Sequence, residues 1–404
     1  MSTTVKTSST VCVVGAGPVG LFTTLLLAQA GIDVAVFERE YAIVQSPRAM
    51  GYFDVTQDEF RKAGILDEVR ETGLLNDQGL TWRRPRDGGI LAGLPGGPDP
   101  SRYPIQLGQH VVGEIILKRL EQYPHVQVHF GHELQHLEQV DSQGTVVTTY
   151  AGGWEHTSKY LVGADGGKSA VRKLTGIELQ GFTWEEFQMV ALNIEYDLSS
   201  YGWGPGNAVV GDGVWGIVAK IGKGEVWRVA FGIPTSELDP DIPFDEERER
   251  ERARVKLAKL LPGTNGEAVI DMISLYRLRQ LCADAFVQGR IALAGDAAHL
   301  TSPVGGLGLT TGLLDAALLA RNLKQIITES GPLSLLKAYG ETRRDVFQNV
   351  TSPSAIFHTR LLTGTDEKDV ATREEFLEKV NARDFGYLKK IGETYEKITS
   401  TRDI

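Results

Sequence analysis

The chain has 404 residues, 42% apolar and 23% charged, with a formal net charge of −10, an ordinary globular composition with room for two or three domains. The acidic balance, without a long basic run, argues against a nucleic-acid partner, and Cys12 and Cys282 are too few and too far apart for a disulfide framework or a thiolate metal site. No run reaches the roughly 20 apolar residues of a membrane span, and the opening MSTTVKTSST has no apolar signal core, so a cytoplasmic protein without a membrane span is expected.

Val11–Val14 reads as a short buried parallel strand. Gly15-Ala16-Gly17-Pro18-Val19-Gly20 follows, then an apolar helix over Val19–Ala30 stopped by Gly31, then a second buried strand over Val34–Phe37. This is a βαβ unit. In it Gly15 allows a tight turn, Gly17 lets the backbone approach a pyrophosphate, and Gly20 lets helix and strand pack closely. The helix start offers free N–H groups to phosphates. Glu38, at the end of the second strand, is placed for ribose hydroxyls. An adenine dinucleotide is implied; NAD and FAD both remain open on this stretch alone.

Helical patterns follow near Asp54–Ala63 and Val111–Gln122, and strand-like pieces near Val126–Phe130 and Thr145–Tyr150. The segment Arg83–Pro104, rich in Pro, Gly and Arg, is expected to be an exposed or ligand-facing loop. Tyr160–Ala164 is another apolar strand, ending in Asp165-Gly166; locally this is a turn with a helix N-cap near Ser169.

From about Met189 to Tyr276 the pattern changes. Alternating pieces at Val190–Tyr196, Val214–Ala219 and Val226–Gly232, with a charged helix over Asp245–Leu261, read as an antiparallel sheet crossed by a helix. Trp215 and Trp227 are expected in its core. Ile291–Ala294 is again a buried strand, delivering Gly295-Asp296 at its end, and Leu307–Ile327 reads as a long helix entered through a second Gly-rich loop. His299 reads as a packed or capping histidine. A metal role with Asp296 lacks a third ligand.

The expected fold is α/β. A doubly wound Rossmann-type domain is assembled from 1–80, 103–182 and 279–365. A mainly antiparallel β-sheet domain is inserted from 81–102 and 183–278, and 366–404 forms a C-terminal helical segment.

Three stretches in this order, GxGxxG, Leu161–Arg172 with its Asp-Gly, Ser and Arg, and Gly295-Asp296-Ala297-Ala298-His299, resemble the single-component FAD-dependent aromatic hydroxylases, the para-hydroxybenzoate and phenol hydroxylase group, over roughly residues 8–365. The resemblance implies FAD as cofactor, NAD(P)H as transient reductant, and O2 and a small aromatic, phenolic molecule as substrates. It implies oxygen transfer through a flavin C4a-hydroperoxide, the cofactor carrying the chemistry while the protein orients it and excludes water. The same motifs would serve an epoxidase or ring-modifying monooxygenase of a secondary metabolite, and a non-catalytic FAD-binding relative is the alternative of another class. A homodimer is one option for the assembly.

Carried over by position, the resemblance assigns the ADP half of FAD to Gly15, Gly17, Pro18, Val19, Gly20, Glu38 and Arg39. Arg48 would contact the cofactor near its phosphates, and Gln109 the flavin. Asp165 matches an aspartate associated with FAD and the nicotinamide cofactor. Gly295 and Asp296 would hold the ribityl or pyrophosphate region. Pro303 would lie near the flavin ring, with Gly306, Gly308, Leu309 and Thr310 facing its pyrimidine edge. Tyr52, with Phe53 beside it, and Tyr201 are candidates for the substrate side. Leu307, Thr310 and Gly113 stand where the family often has Gln, Asn and Glu, which puts side-chain contacts to the flavin in question. A base for the phenol is expected, but the sequence does not locate one.

Overall fold

The computed structural model describes residues 5–211, 213–238, 245–264 and 268–399. The strands Val126–Phe130, Val34–Glu38, Val5–Val14, Trp154–Gly163 and Ile291–Leu293 lie side by side in that order, all parallel. Val11, Cys12 and Val13 are fully buried, as befits a parallel strand covered on both faces. The helix Pro18–Gln29 packs against Gln109–Leu120 and Leu307–Thr328. An antiparallel hairpin, Leu134–Val140 with Thr145–Tyr150, extends the sheet beside Trp154–Ser158. The α/β reading with a Rossmann-type core holds.

The second sheet runs Val269–Tyr276, Phe187–Glu195, Val226–Pro234, Val214–Lys220, Gly206–Gly211, Leu80–Arg83, Ile90–Leu94. Its pairs are antiparallel except Gly206–Gly211 with Leu80–Arg83. Side chains alternate between its faces. Val190, Leu192, Ile194, Trp227 and Val229 meet Leu257 and Leu260 of the crossing helix Glu246–Leu260 in one core. Met189, Ala191 and Ala230 line the opposite face with Trp215 and Ile217. Trp227 is thus the core residue expected of it. Trp215 lies part-buried on the other face, its ring filling the place a Cβ at Gly232 would need.

One expectation needs correction. The segment Arg83–Pro104 is not all loop: Ile90–Leu94 pairs with Leu80–Arg83 as a hairpin at the sheet edge. Arg83 itself is buried, donating to Asn207 Oδ1 at 2.8 Å and to the carbonyls of Gly88 and Gly202 at 2.9 and 2.7 Å. The expected C-terminal helical segment consists of two helices, Glu367–Asn381 and Phe385–Ile398. They are broken where Arg383 takes a φ of +51°, a left-handed turn no helix continues through. Among the described residues, no helix is long and apolar enough to cross a membrane.

Candidate functional site: a cofactor cradle facing an apolar sheet

The first Gly-rich turn is built by backbone crowding. Gly15 takes a φ of +106°, and a Cβ there would stand 2.4 Å from the carbonyl oxygen of Ala164; one at Gly20 would stand 2.0 Å from that of Gly15. Neither site tolerates a side chain. Gly17 is different: a Cβ there would meet nothing within 4 Å, so its bare backbone faces open space. Glu38, half-buried, accepts from the amides of Ala16 at 2.7 Å and Glu40 at 3.0 Å, which fixes it at the rim of the turn. Arg39 is exposed and pairs with Glu40. A cleft opens here, walled by Ala16, Gly17, Pro18, Glu38, Ile43, Gln109 and Gly113. Gln109 is the first residue of its helix rather than lying before it.

Three helices begin at a glycine N-cap without a side-chain cap: Gly17, Gly108 and Gly306. By contrast, Asp245, Asp366 and Asp384 cap their own helices with a carboxylate. The first N–H groups of the three glycine-capped helices, and the positive ends of their dipoles, are left for an anionic ligand. This fits a dinucleotide cofactor with a pyrophosphate and an electron-accepting ring.

Asp296 lies in the turn after Ile291–Leu293. Its side chain reaches solvent, and among the described residues nothing donates a hydrogen bond to it. It nonetheless sits in a recess walled by protein. Loss of bulk water raises its pKa, while His299 and Arg48 act in the other direction. A free carboxylate in a concave wall suits the hydroxyls of a sugar-alcohol chain. Gly295 before it has a φ of +61° and touches the first helix, where a Cβ would stand 2.9 Å from Val19 Cγ2. That contact explains Val19 and Gly295 together.

Behind this turn lies a buried network the sequence did not reveal. Asp315, fully buried, accepts from Arg343 Nε at 2.6 Å and from the Gly295 amide at 3.1 Å, and meets His299 Nε2 at 2.6 Å. Burial alone would raise the Asp315 pKa; His299 and Arg343 outweigh it and hold the carboxyl below its ordinary value. His299 also stacks on Phe347, so it is a packed residue as expected. A carboxylate inside the apolar run Leu313–Ala320 was the available sequence signal.

Asp165 is turned into its own chain. It accepts from the Ser169 hydroxyl, the Ala170 amide at 2.7 Å and the Val171 amide at 3.1 Å. Burial raises its pKa against these bonds. Arg172 then ties the two Asp-bearing segments together, donating to Ala297 O at 2.8 Å and Gly167 O at 3.0 Å.

The second Gly-rich loop is clamped from behind. Thr359 donates to Ser302 Oγ at 2.7 Å. Gln280 accepts from Thr301 Oγ1 at 3.1 Å and the Ser302 amide at 3.3 Å, and donates to Ser352 at 2.8 Å. Pro303 stays part-exposed, as do Gly306, Gly308 and Leu309. Thr310 turns inward, its hydroxyl on Gly306 O at 3.1 Å, and Leu307 is buried among Leu314, Ala355 and Ile398. Neither side chain is offered to the cleft, so this helix start presents backbone only.

Of the aromatic candidates, Phe53 reaches the loop: a Cβ at Gly306 would stand 2.7 Å from its ring. Tyr52 does not. It is fully buried against Phe60, because its two-residue strand pairs with Ile105–Gln106 and turns it inward. Tyr201 is also removed from the substrate side. It stands beside Tyr196 and Gly263 at the end of the crossing helix, on the helix-covered face of the sheet. Facing Arg48 instead is a polar group of the middle sheet. Arg228, buried, donates to Asn193 Oδ1 at 2.7 Å and to Arg48 O. Burial lowers its pKa to about 10, with Tyr276 opposing. Burial pushes Tyr276 up to about 12, against Arg48 and Arg228, so it stays protonated.

A model of the FAD binding domain family matches residues 8–354. The chain is 35% identical, over 91% of its length and 90% of the relative's, to para-nitrophenol 4-monooxygenase of Pseudomonas sp. (strain WBC-3). It is 33% identical to 6-hydroxy-3-succinoylpyridine 3-monooxygenase of Pseudomonas putida (strain DSM 28022 / S16), over 87% and 88%. The crystal structure of p-nitrophenol 4-monooxygenase from Pseudomonas putida DLL-E4 superposes with a TM-score of 0.88 at 32% identity, covering 98% of this chain and all of that one. The chain belongs to the FAD binding domain family and is an FAD-dependent aromatic monooxygenase.

Proposed function

We propose that this member of the FAD-dependent aromatic hydroxylases oxidises a small para-substituted phenol at the carbon bearing the substituent. The observation that carries the reading is end-to-end similarity to two monooxygenases whose names place the oxygen at such a carbon. Position 4 of para-nitrophenol and position 3 of 6-hydroxy-3-succinoylpyridine both lie para to the ring hydroxyl and both carry a substituent. A deprotonated hydroxyl makes its para carbon nucleophilic by conjugation. With 4-nitrophenol, a C–O bond forms at that carbon, the C–N bond breaks, and the ring ends as 1,4-benzoquinone. 4-Nitrophenol, O2, NAD(P)H and one proton then balance benzoquinone, nitrous acid, water and NAD(P)+.

Bound FAD supplies activated oxygen. The chain's own residues bind, orient and keep the site dry. Gly15, Gly17 and the helix start at Pro18 and Val19 would receive the pyrophosphate; Gly20 keeps the helix close. Glu38, with Arg39 outside it, would take the ribose end. Arg48 and Gln109 would flank the linker, and Asp296 would accept from its hydroxyls. The backbone from Gly306 through Gly308, Leu309 and Thr310 would hold the ring's polar edge, with Pro303 beside it. Val304, Trp215 and Ile217 form an apolar wall against the loop, which excludes water.

The test is purified protein loaded with FAD and offered 4-nitrophenol with NADPH or NADH. Nitrite and benzoquinone should appear as reductant is consumed. Consumption that yields only hydrogen peroxide across a series of 4-substituted phenols would overturn the substrate assignment.

A further inference from the structure

We propose that Gln280 is a positioning residue for the cofactor ring: it holds the second Gly-rich loop in a fixed place relative to the inserted sheet. The proposal rests on the reading above, in which the backbone of that loop would hold the ring's polar edge. Gln280 lies on the strand Arg279–Ala283, which pairs antiparallel with His299–Leu300 at two positions, Leu281 with Leu300 and Cys282 with His299. Beyond Leu300 that ladder stops, and the Gln280 side chain takes it over. Its Oε1 accepts from Thr301 Oγ1 at 3.1 Å and from the Ser302 amide at 3.3 Å. Its Nε2 donates to Ser352 Oγ at 2.8 Å, on the first residue of the helix Ser352–Thr363. One side chain thus ties a strand, a loop and a helix.

Glutamine suits the place because its amide offers an acceptor with two lone pairs and a donor together. Gln280 is buried and Ser302 fully so, so bulk water does not stand in for a lost bond. The loop needs such a hold. Gly305 and Gly306 take φ values of +94° and +70°, and two successive glycines leave the backbone many other conformations. The same strand is tied to the sheet. Leu278, two residues before Gln280, is buried with Met189, Ala191 and Ala230 on the face opposite the crossing helix, and its carbonyl accepts from the Trp184 amide at 3.0 Å. Gln280 therefore carries the position of that face to the loop.

The helix Leu307–Thr328 begins where this loop ends. Its free N–H groups and positive dipole end favour the negative charge a flavin ring acquires on reduction. A loop held in one place gives that charge more stabilisation than a loop free to wander, and it keeps the ring in register with a phenol at the sheet face. Without the hold, the reduction potential should fall and oxygen should be lost as peroxide. NAD(P)H, O2 and one proton then end as NAD(P)+ and hydrogen peroxide.

The experiment compares FAD-loaded protein with Gln280→Met, which has a similar volume but no amide, and with Gln280→Glu, which keeps the acceptor oxygens. The midpoint potential of bound FAD is read by reductive titration without substrate, alongside the melting temperature. In turnover, the share of NADPH recovered as hydrogen peroxide is measured. In Gln280→Met the potential should fall by about 30 mV or more, tenfold for a two-electron couple, and the peroxide share should rise several-fold. Gln280→Glu should stay close to the unaltered chain in both. An unmoved potential and peroxide share in Gln280→Met, even with a lower melting temperature, would overturn the role, as would equal shifts in both variants. Thr301→Val removes one of the two loop bonds and leaves Gln280 in place, so it should move both readouts in the same direction by less. If Gln280→Met does not fold, Thr301→Val decides, and readouts like those of the unaltered chain would overturn the role. The potential is read without a phenol, so it decides Gln280 even if the substrate assignment falls.

Discussion

Asp315→Asn removes one charge from the network behind the Gly295–Asp296 turn and nearly no volume. The carboxylate receives three nitrogens on two oxygens: Arg343 Nε and His299 Nε2, each at 2.6 Å, and the Gly295 amide at 3.1 Å. An asparagine has one acceptor oxygen, so its NH2 must face at least one of these donors. Arg343, fully buried, would keep only the carbonyls of Ile398 at 3.1 Å and Thr311 at 3.3 Å. Breaking a buried ion pair by removing one partner costs about 3–5 kcal/mol, and that loss is expected in urea unfolding at neutral pH. The Asp315 pKa is held below its unfolded value, so its contribution is present above the ordinary carboxylate range. It is lost as pH falls through the folded-state pKa. The gap between the unaltered chain and Asp315→Asn should therefore narrow in acid. Replacing both partners with apolar residues, Asp315→Leu with Arg343→Met, should recover much of the loss. A single variant within about 1 kcal/mol of the unaltered chain, or a gap that widens in acid, would refute this account.

Asp296→Ala should weaken FAD retention with little change in fold, since nothing in the protein depends on that carboxylate. A bond from a hydroxyl to a charged group is worth about 1.5–3 kcal/mol, so dialysis or fluorescence titration should show FAD affinity falling at least about tenfold; normal affinity would refute the assignment. Gly20→Ala should lose FAD and destabilise the chain together, because the new Cβ meets the Gly15 carbonyl at 2.0 Å; a stable, FAD-replete variant would contradict that crowding. Trp227→Ala should cost about 3–5 kcal/mol in the sheet core while leaving the absorption spectrum of bound FAD unshifted, since Trp227 lies on the helix-covered face.

The cofactor side was legible because its demands are local and fall on the backbone. A turn with a φ of +106° under a neighbouring strand needs glycine at Gly15, and that need is visible in six letters of sequence. Asp165 was legible in its bland form, as part of a turn and helix start. The substrate side was not, because it depends on which face of a strand looks inward. Tyr201 is a plausible pocket residue until the crossing helix is seen to pack on its side of the sheet. Tyr52 is plausible until its short strand pairs with Ile105–Gln106. The hairpin at Ile90–Leu94 hid in a Gly- and Pro-rich stretch, where composition spoke for the turns and concealed the strand. Arg343 and Asp315 lie 28 residues apart on different helices, and no local pattern joins them.

This division has a physical origin. The cradle uses glycine N-caps, amides and one free carboxylate, and these hardly depend on side-chain identity elsewhere. The turn bearing Asp296 is held by Asp315 and Arg343 from behind and by Arg172 from the side, so on the proposed reading little reorganisation is needed when the cofactor binds. The facing wall draws on Trp215, Ile217, Arg228 and Tyr276 from the inserted sheet. These residues come from separate parts of the chain and can change without disturbing the cradle. A signature that announces FAD so clearly therefore says little about which phenol is oxidised. Specificity should be sought by exchanging the sheet face, not the Gly-rich turns.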